Sequence, residues 1–487
     1  MHNDSREAPI LDSGITCWRL EPAQRIAFLI DGAYFSAAEA AMRKAQRSIL
    51  LVGWTFDART TLKPMAWQAA RRSVSIAELL KSLSAERPEL EIRLLIWKAA
   101  PVISAPQAFF PQRSPRYFKN SRVRIHLDNS VPFGASHHQK ILVIDDKIAF
   151  CGGGDFSTGR WDSPAHLDRE PRRRKPSGRP YGPRHDVMML VDGGAAAALR
   201  DLAAERWLRA TGEALDEVRS VGRDDPWPDH VRSDVTHQRI GIVRTEPRWR
   251  SRLGTRENEA LHLRAIRAAQ RSIYIENQYF TSPLIADAFC ERLREANGPE
   301  IVLVLTKQGP SYFDHALMDP ARNALVSQLM NADVFNRFRA YCPQTALGQP
   351  IVVHSKLAIV DDRFVRIGSA NLNNRSAGFD TECDLAIELN SELDGASESD
   401  DSARAVQSFR ATLISHFLGS TAEKFEQAFD LSGSVITAIE RLDSGARRRL
   451  LPLQPTTSSI LGRVIAAYHL GDPTGAVDAW RPWRRRR

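Results

Sequence analysis

Nowhere in the 487 residues does an unbroken apolar stretch approach the roughly 18–20 residues that a membrane-spanning helix needs. The run Ile49–Val52 has only the length of a core strand. Met1–Pro9 is polar and lacks the basic-then-apolar order of a secretory signal. The expected location is cytoplasmic or peripheral to a membrane, with export open only to a route without a cleaved signal. Cysteine is scarce. Cys17, Cys151, Cys290, Cys342 and Cys383 are scattered, odd in number and without a C-x-x-C pair. Neither a disulfide framework nor a zinc site is expected, and a reducing compartment is the simpler setting. The chain also lacks H-E-x-x-H, G-x-x-x-x-G-K-[ST] and G-x-S-x-G, which removes the usual sequence signals of zinc peptidases, P-loop proteins and α/β-hydrolases.

A basic body is missing too. The net charge of +9 invites a nucleic-acid or anionic-membrane partner. But Arg169–Arg184 carries +6 and Arg481–Arg487 carries +5, which leaves the rest of the chain at −2. No nucleic-acid partner is expected of such a body. The two basic runs read as solvated surface, or as contacts to lipid headgroups, with Trp480 and Trp483 flanking the start of the tail. With 43% hydrophobic and 26% charged residues, the composition is that of a soluble globular protein. The length calls for two domains or two large lobes.

What is present is a repeat. Residues 41–56 read AMRKAQRSILLVGWTF and residues 265–280 read AIRAAQRSIYIENQYF, 224 positions later. His138-Gln-Lys140 through Asp145 returns as His354-Ser-Lys356 through Asp361, 216 positions later. Two elements recurring in one order at nearly one spacing indicate duplication and fusion. Helices are expected near 36–47 and 76–85, each before a strand, near 48–54 and at Ile92–Trp97. The second half matches, with helices near 257–270 and 284–296 before strands at Ile273–Ile275 and Ile301–Leu305. Strands alternating with helices give an α/β class, here two fused lobes, each a mixed sheet flanked by helices. The expected division is an N-terminal extension at 1–24, a first lobe at 25–215, a linker at 216–240 and a second lobe at 241–420. A C-terminal segment at 421–487, helical and then irregular, carries the basic tail. Residues 394–403, rich in Ser, Asp and Glu, read as an exposed loop.

Alternate side chains of a strand share a face, so His138 points with Lys140 and His354 with Lys356. Each pair is followed by an apolar run, then Asp-Asp-basic, then another apolar run. That describes a β-hairpin with Asp at its turn. Asp145 and Asp361 complete the motif as turn and scaffold residues. Breaking a phosphodiester needs a nucleophile on one side of phosphorus and an acid on the leaving oxygen opposite. Histidine serves either role near neutrality. Two lysines neutralise the non-bridging oxygens without a metal or cofactor. A pseudo-two-fold axis at the lobe interface would bring His138 and His354 to opposite sides of one phosphate.

HHQKILVIDDKIAFCGGGDF and HSKLAIVDDRFVRIGSANLNNRS resemble the two H-K-D motifs of the phospholipase D superfamily, and the likeness covers most of residues 25–420. Ile273-Tyr-Ile-Glu-Asn-Gln278, Gly159-Arg160-Trp161-Asp162 and His185-Asp186 resemble segments of its eukaryotic-type, phosphatidylcholine-hydrolysing branch. The resemblance implies His138 as the nucleophile of a phosphohistidine intermediate and His354 as general acid and then base. It implies Lys140, Lys356 and Asn371, with Ser369 beside it, as phosphate ligands. It also implies crossed orienting carboxylates, Glu382 for His138 and Asp186 for His354. The activity implied is hydrolysis of a phospholipid at a membrane surface by a monomer, with water or a primary alcohol as acceptor. The first motif departs from the general Gly-Ser-x-Asn ending with Gly152-Gly-Gly-Asp155, which puts a phosphate contact by Asp155 in doubt. For Asp155 and Glu276-Asn277-Gln278, scaffold and substrate roles both stay open. Three rivals remain: a phosphatidyltransferase of the cardiolipin-synthase type, a nuclease, and a binding module on an inactive scaffold.

Overall fold

Both Asp-Asp-basic segments close hairpins. Asp145, Asp146, Asp361 and Asp362 have φ between 53° and 57°. Lys147 and Arg363 donate their backbone N–H to the carbonyls of Ile144 and Val360 at 3.0 Å. Two central residues at positive φ make a type I′ turn, whose twist matches that of the strands it joins, and Asp tolerates this region better than most side chains. The carboxylate of Asp145 then accepts from the N–H groups of Gln46, Arg47 and Ser48 at 2.7–2.8 Å. Asp361 does the same with Gln270, Arg271 and Ser272. The Gln-Arg-Ser repeat and the terminal Asp of the motif are therefore two ends of one contact.

The computed structural model describes residues 9–65, 73–99, 111–216, 224–309, 312–389, 396–444, 448–456 and 467–476, with 462, 464 and 478. The first lobe runs β1 (Arg19–Ile30), α1 (Gly32–Lys44), β2 (Ser48–Gly53), α2 (Ile76–Glu86), β3 (Glu91–Trp97) and β4 (Arg124–Asp128). It continues with β5 (Ile141–Ile144), β6 (Ile148–Gly152), β7 (Arg184–His185), β8 (Val187–Asp192) and α3 (Gly193–Thr211). The second lobe runs β9 (Val235–Glu246), β10 (Thr255–Arg256), α4 (Glu257–Ala268), β11 (Ser272–Asn277), α5 (Pro283–Arg294), β12 (Glu300–Leu305), α6 (Tyr312–Ala332) and β13 (Phe338–Pro343). It continues with β14 (Val352–Val353), β15 (Leu357–Val360), β16 (Phe364–Gly368), α7 (Asn374–Gly378), β17 (Glu382–Glu388) and α8 (Ala396–Leu418). Then come α9 (Ala422–Ser432), α10 (Val435–Leu442) and β18 (Leu450–Pro452).

One mixed sheet holds both lobes, in the order β4-β3-β2-β5-β6-β8-β1-β9-β17-β16-β15-β11-β12-β13-β18, with β10 beside β9. Read from the middle, each half is the image of the other, apart from β10 and β18, which only the second half has. The strands that meet there, β1 and β9, are both 12 residues long and start 216 positions apart. They pair antiparallel with Arg19 opposite Ile242 and Ile26 opposite Val235, so each strand meets its own counterpart about a local two-fold. One apolar core under α3 and α8 spans both halves. A second fills the outer part of the first lobe, against α1 and α2, and a third that of the second, against α4 and α5. Fully buried strands of this kind carry nearly continuous apolar runs, as β8 and β12 do.

Several expectations change. The first central strand begins at Arg19, inside the expected extension, and β9 begins at Val235, inside the expected linker. Trp227 of that linker is buried, with the Arg25 guanidinium 4.4 Å over its ring; residues 217–223 lie outside the described set. The backbone from Ala396 onward is helical, not a loop. Acidic residues favour a helix N-terminus, and Val406, Phe409, Leu413, Ile414 and Phe417 bury the opposite face. The segment after α10 returns to the sheet edge as β18. In the basic run, Arg173 and Arg184 are buried, not solvated, whereas the tail with Trp480 and Trp483 lies outside the described residues. Among the described residues no helix is long and apolar enough to cross a membrane. All five cysteines are free and buried.

Candidate active site

His138 and His354 each stand three residues before the first strand of a motif hairpin. Each is positioned by the other lobe. His137 bridges Thr381 in parallel register, and Val353 in β14 pairs with His185 in β7 in the same sense. His138 N–H donates to Thr381 O at 2.9 Å, and His354 N–H to His185 O at 2.7 Å. One step further along both registers lie the carboxylates. Nδ1 of His138 is 2.8 Å from Oε2 of Glu382, and Nδ1 of His354 is 2.8 Å from Oδ2 of Asp186. A carboxylate on Nδ1 fixes the ring and the tautomer, leaving Nε2 for chemistry. Both histidines line one cleft of about 1490 Å³.

Lys140 and Lys356 anchor their ammonium groups on the carbonyls of His138 and His354, at 2.7 and 2.6 Å. Lys140 also lies 3.6 Å from Asp155, and Lys356 donates to Gln278 Oε1 at 3.3 Å. Burial pushes both lysines below their ordinary range, Lys356 further than Lys140. Burial lowers both histidines as well. Lys140 and Lys356 add to the effect at His138, and Arg184 and Lys356 at His354. Both effects favour the neutral imidazole at each histidine. Burial raises the carboxyls, Asp186 to about 6 and Glu382 to about 8, against the pull of the nearby lysines.

Asn371 lines the cleft, and its Oδ1 is buried without a partner, as a group awaiting a ligand would be. Ser369 is fully buried, and its hydroxyl donates to Glu382 Oε2 at 2.6 Å, so its contact within the chain is to the carboxylate beside His138. Ser376, which the sequence did not single out, donates to the other oxygen at 2.6 Å. Asp155, the first-lobe counterpart of Asn371, accepts from the N–H groups of Trp54 and Thr55 and serves the scaffold. Asp145 and Asp361 are turn residues, as their carboxylate contacts require. Trp54 takes the position of Gln278 in the other lobe, edge-on to His138 at 5.8 Å.

Behind Asp186 lies a buried charge network that joins the lobes. His185 sits between Asp31 Oδ1 at 3.1 Å and Glu276 Oε2 at 2.8 Å. Burial opposes its charge, but the two carboxylates outweigh burial and hold the imidazolium well above the usual range. Glu276 also accepts from Ser355 and Tyr274, so it is scaffold. So is Asn277, whose Oδ1 accepts from backbone N–H groups. Gln278 alone of that trio reaches the cleft. Asp31, His166 and His185 bring ligand atoms within 4.8 Å of one another and could hold a cation. No sequence spacing revealed this group, because its members come from three distant segments. Charge pairing accounts for it without an ion. His166 faces Asp31 at 3.4 Å and Asp162 at 3.1 Å.

A family model described as Phospholipase D matches residues 41–238, and one described as Cardiolipin synthase, PLD-like domain matches residues 262–400. The chain is 25% identical over 430 residues to "Phospholipase D A" of Dictyostelium discoideum, covering 74% of this chain and 32% of that protein. It is 24% identical over 475 residues to "Phospholipase D2" of Bos taurus, covering 75% and 49%. The chain thus spans about a third to a half of the length of these relatives. Among solved structures, a phosphatidylserine synthase from Haemophilus influenzae Rd KW20 superimposes with a TM-score of 0.51 at 14% identity. That match covers 80% of this chain and 87% of the other, and it is a likeness of fold.

Proposed function

This chain belongs to the phospholipase D superfamily, and from that membership we propose that it hydrolyses the distal phosphodiester bond of glycerophospholipids to phosphatidic acid and free headgroup. The observation that supports this reading most is the crossed pair of contacts, His138 to Glu382 and His354 to Asp186. In the proposed first step Nε2 of His138 attacks phosphorus. A P–N bond forms and the P–O bond to the headgroup breaks as His354 gives its proton to the leaving oxygen. In the second step His354 takes a proton from water or a primary alcohol, that oxygen attacks phosphorus, and the P–N bond breaks. Lys140, Lys356 and Asn371 neutralise and orient the non-bridging oxygens. Burial and the surrounding cations depress His354, and the negative charge of a bound phosphodiester offsets those cations. Substrate binding therefore raises His354 toward the protonated form that an acid needs.

Product analysis on mixed phospholipids, with and without a primary alcohol, tests the proposal. Phosphatidic acid in water, and a phosphatidyl alcohol when the alcohol is added, are expected. The match of residues 262–400 to a cardiolipin synthase, PLD-like domain favours phosphatidyl transfer as the second reading. A diphosphatidyl product formed when a lipid alcohol is supplied, with little phosphatidic acid, would favour it over hydrolysis.

A further inference from the structure

The two half-sites are not electrostatically equal. Downstream of the hairpins the first lobe is longer. Gly153 and Ser369 are 216 positions apart, but Asp186 and Glu382 only 196, so the first lobe holds 20 more residues in between. With that shift, Arg184-His185-Asp186 stands opposite Asp380-Thr381-Glu382, and the paired backbone contacts of His354 to His185 and of His138 to Thr381 fix the equivalence. Two positions before the orienting carboxylate there is thus Asp beside His138 and Arg beside His354.

The two charges are also treated differently. Asp380 is neutralised by a bidentate contact to Arg375 at 2.9 and 2.7 Å. Among the described residues no carboxylate makes such a contact with the Arg184 guanidinium, and Asp186 and Asp155 favour its charge only from a distance. Arg184 is 9% exposed and lines the cleft, and its Nε and Nη2 are buried without hydrogen bonds. Asp162 accepts the backbone N–H of Arg184 but gives its charge to Arg173 and His166. Arg160 lines the same part of the cleft and acts electrostatically on Arg184, Asp186 and His354. A buried guanidinium with unused N–H groups is costly unless an anion completes it, and its fork suits a carboxylate or a phosphate. In the proposed mechanism the two lysines already serve the reacting phosphate.

We propose that Arg184 and Arg160 form an anion subsite on the His354 side of the cleft, for a leaving group that itself carries a carboxylate or a phosphate. The inference rests on the assignment of His354 to the leaving oxygen. It narrows the substrate from phospholipids at large to those whose headgroup bears its own negative charge.

Binding and turnover separate this inference from the proposed activity. Phosphoserine and phosphoethanolamine differ by one carboxylate, and pyrophosphate and phosphate by one phosphate. Calorimetry on the full chain is expected to show about tenfold or more tighter binding of the more anionic member of at least one pair. Arg184→Gln should shrink that preference to within about threefold, Arg184→Lys should keep part of it, and Arg179→Gln, exposed on the same segment, should keep all of it. The pair that shows the preference identifies carboxylate or phosphate as the group. In turnover, short-chain phosphatidylserine against phosphatidylethanolamine tests the carboxylate arm, and CDP-diacylglycerol the phosphate arm. Equal binding within both pairs, or a preference that survives Arg184→Gln, overturns the subsite. A preference that depends on Arg184, with no phospholipid turned over, keeps the subsite and removes the phospholipase reading instead.

Discussion

A Cβ placed on Gly153 would lie 2.1 Å from Oδ1 of Asp186. The position equivalent to Gly153 in the second lobe is Ser369, whose hydroxyl supports Glu382 at 2.6 Å. The two motif endings are therefore matched to their carboxylates. The shorter Asp186 packs against a glycine, and the longer Glu382 accepts from a serine. The departure of the first motif from the second is a packing requirement of its partner histidine.

Gly153→Ser should accordingly displace Asp186 from His354. The expected loss is about 10²–10⁴-fold in kcat, with a stability loss of about 1–3 kcal/mol from overpacking. Ser369→Ala should cost less and act through Glu382, lowering kcat rather than raising KM. Near-native kcat in Gly153→Ser, or a pure KM effect in Ser369→Ala, would contradict this pairing. Steady-state kinetics on a soluble phosphodiester, with thermal unfolding alongside, measure both.

The division of labour between the histidines can be read from the covalent adduct. His138→Ala should abolish turnover and every adduct. His354→Ala should be nearly inactive on lipids yet still form adduct with a nitrophenyl phosphodiester, whose leaving group needs little protonation. Rapid quench and mass mapping follow it. An adduct on His354 alone would reverse the roles. Inversion at phosphorus with no adduct would mean direct attack by water.

Two pH effects follow from burial. His138 is held below its ordinary 6.5, so its neutral, attacking form persists under that value. The acid limb of kcat/KM should fall below pH 6.5 on a soluble substrate, and a limb at or above 6.5 would refute the depression. For the carboxyls the sign is opposite. Asp186 and Glu382 are raised from 3.8 and 4.5 to about 6 and about 8. The stability they contribute is fully present below the unfolded values and is lost as pH rises through the folded ones. Urea unfolding across pH 5–9 should show part of this loss disappear in Glu382→Gln. An unchanged slope would show that Glu382 ionises normally.

In the proposed mechanism nucleophile, acid and charge neutralisation all come from side chains of the chain itself. Turnover of a soluble phosphodiester should therefore survive exhaustive chelation. Elemental analysis of the purified protein tests the Asp31–His166–His185 group at the same time, and no stoichiometric metal is expected there. Activity lost in EDTA and restored only by a divalent ion would overturn the mechanism.

His185 locks the lobes together through Asp31 and Glu276. His185→Ala would leave two buried carboxylates without their cation, at a cost of about 3–5 kcal/mol. Chemical denaturation at pH 7 measures it. A change below about 1 kcal/mol would mean that the network is not charged.

The sequence by itself determined the local units. Alternation placed His and Lys on one face, paired aspartates set the hairpin turns, and the two repeats gave two lobes, because these depend on neighbours within a few residues. It also showed Gln-Arg-Ser and the motif Asp as recurring, but not that they touch. No spacing within the chain gave what crosses between lobes: the family resemblance implied the crossed carboxylates, and the tertiary structure supplies the physical reason. The register of His137 with Thr381 and of Val353 with His185 sets which carboxylate meets which histidine. Ser369 and Ser376 face backward onto Glu382 for the same reason. The charge difference between the half-sites was hidden because 20 extra residues break the repeat, and because Arg184 lay in a run whose composition resembles solvated surface. Burial is a property of the folded sheet, and only burial turns that arginine from surface charge into a cleft cation whose Nε and Nη2 find no hydrogen bond among the described residues.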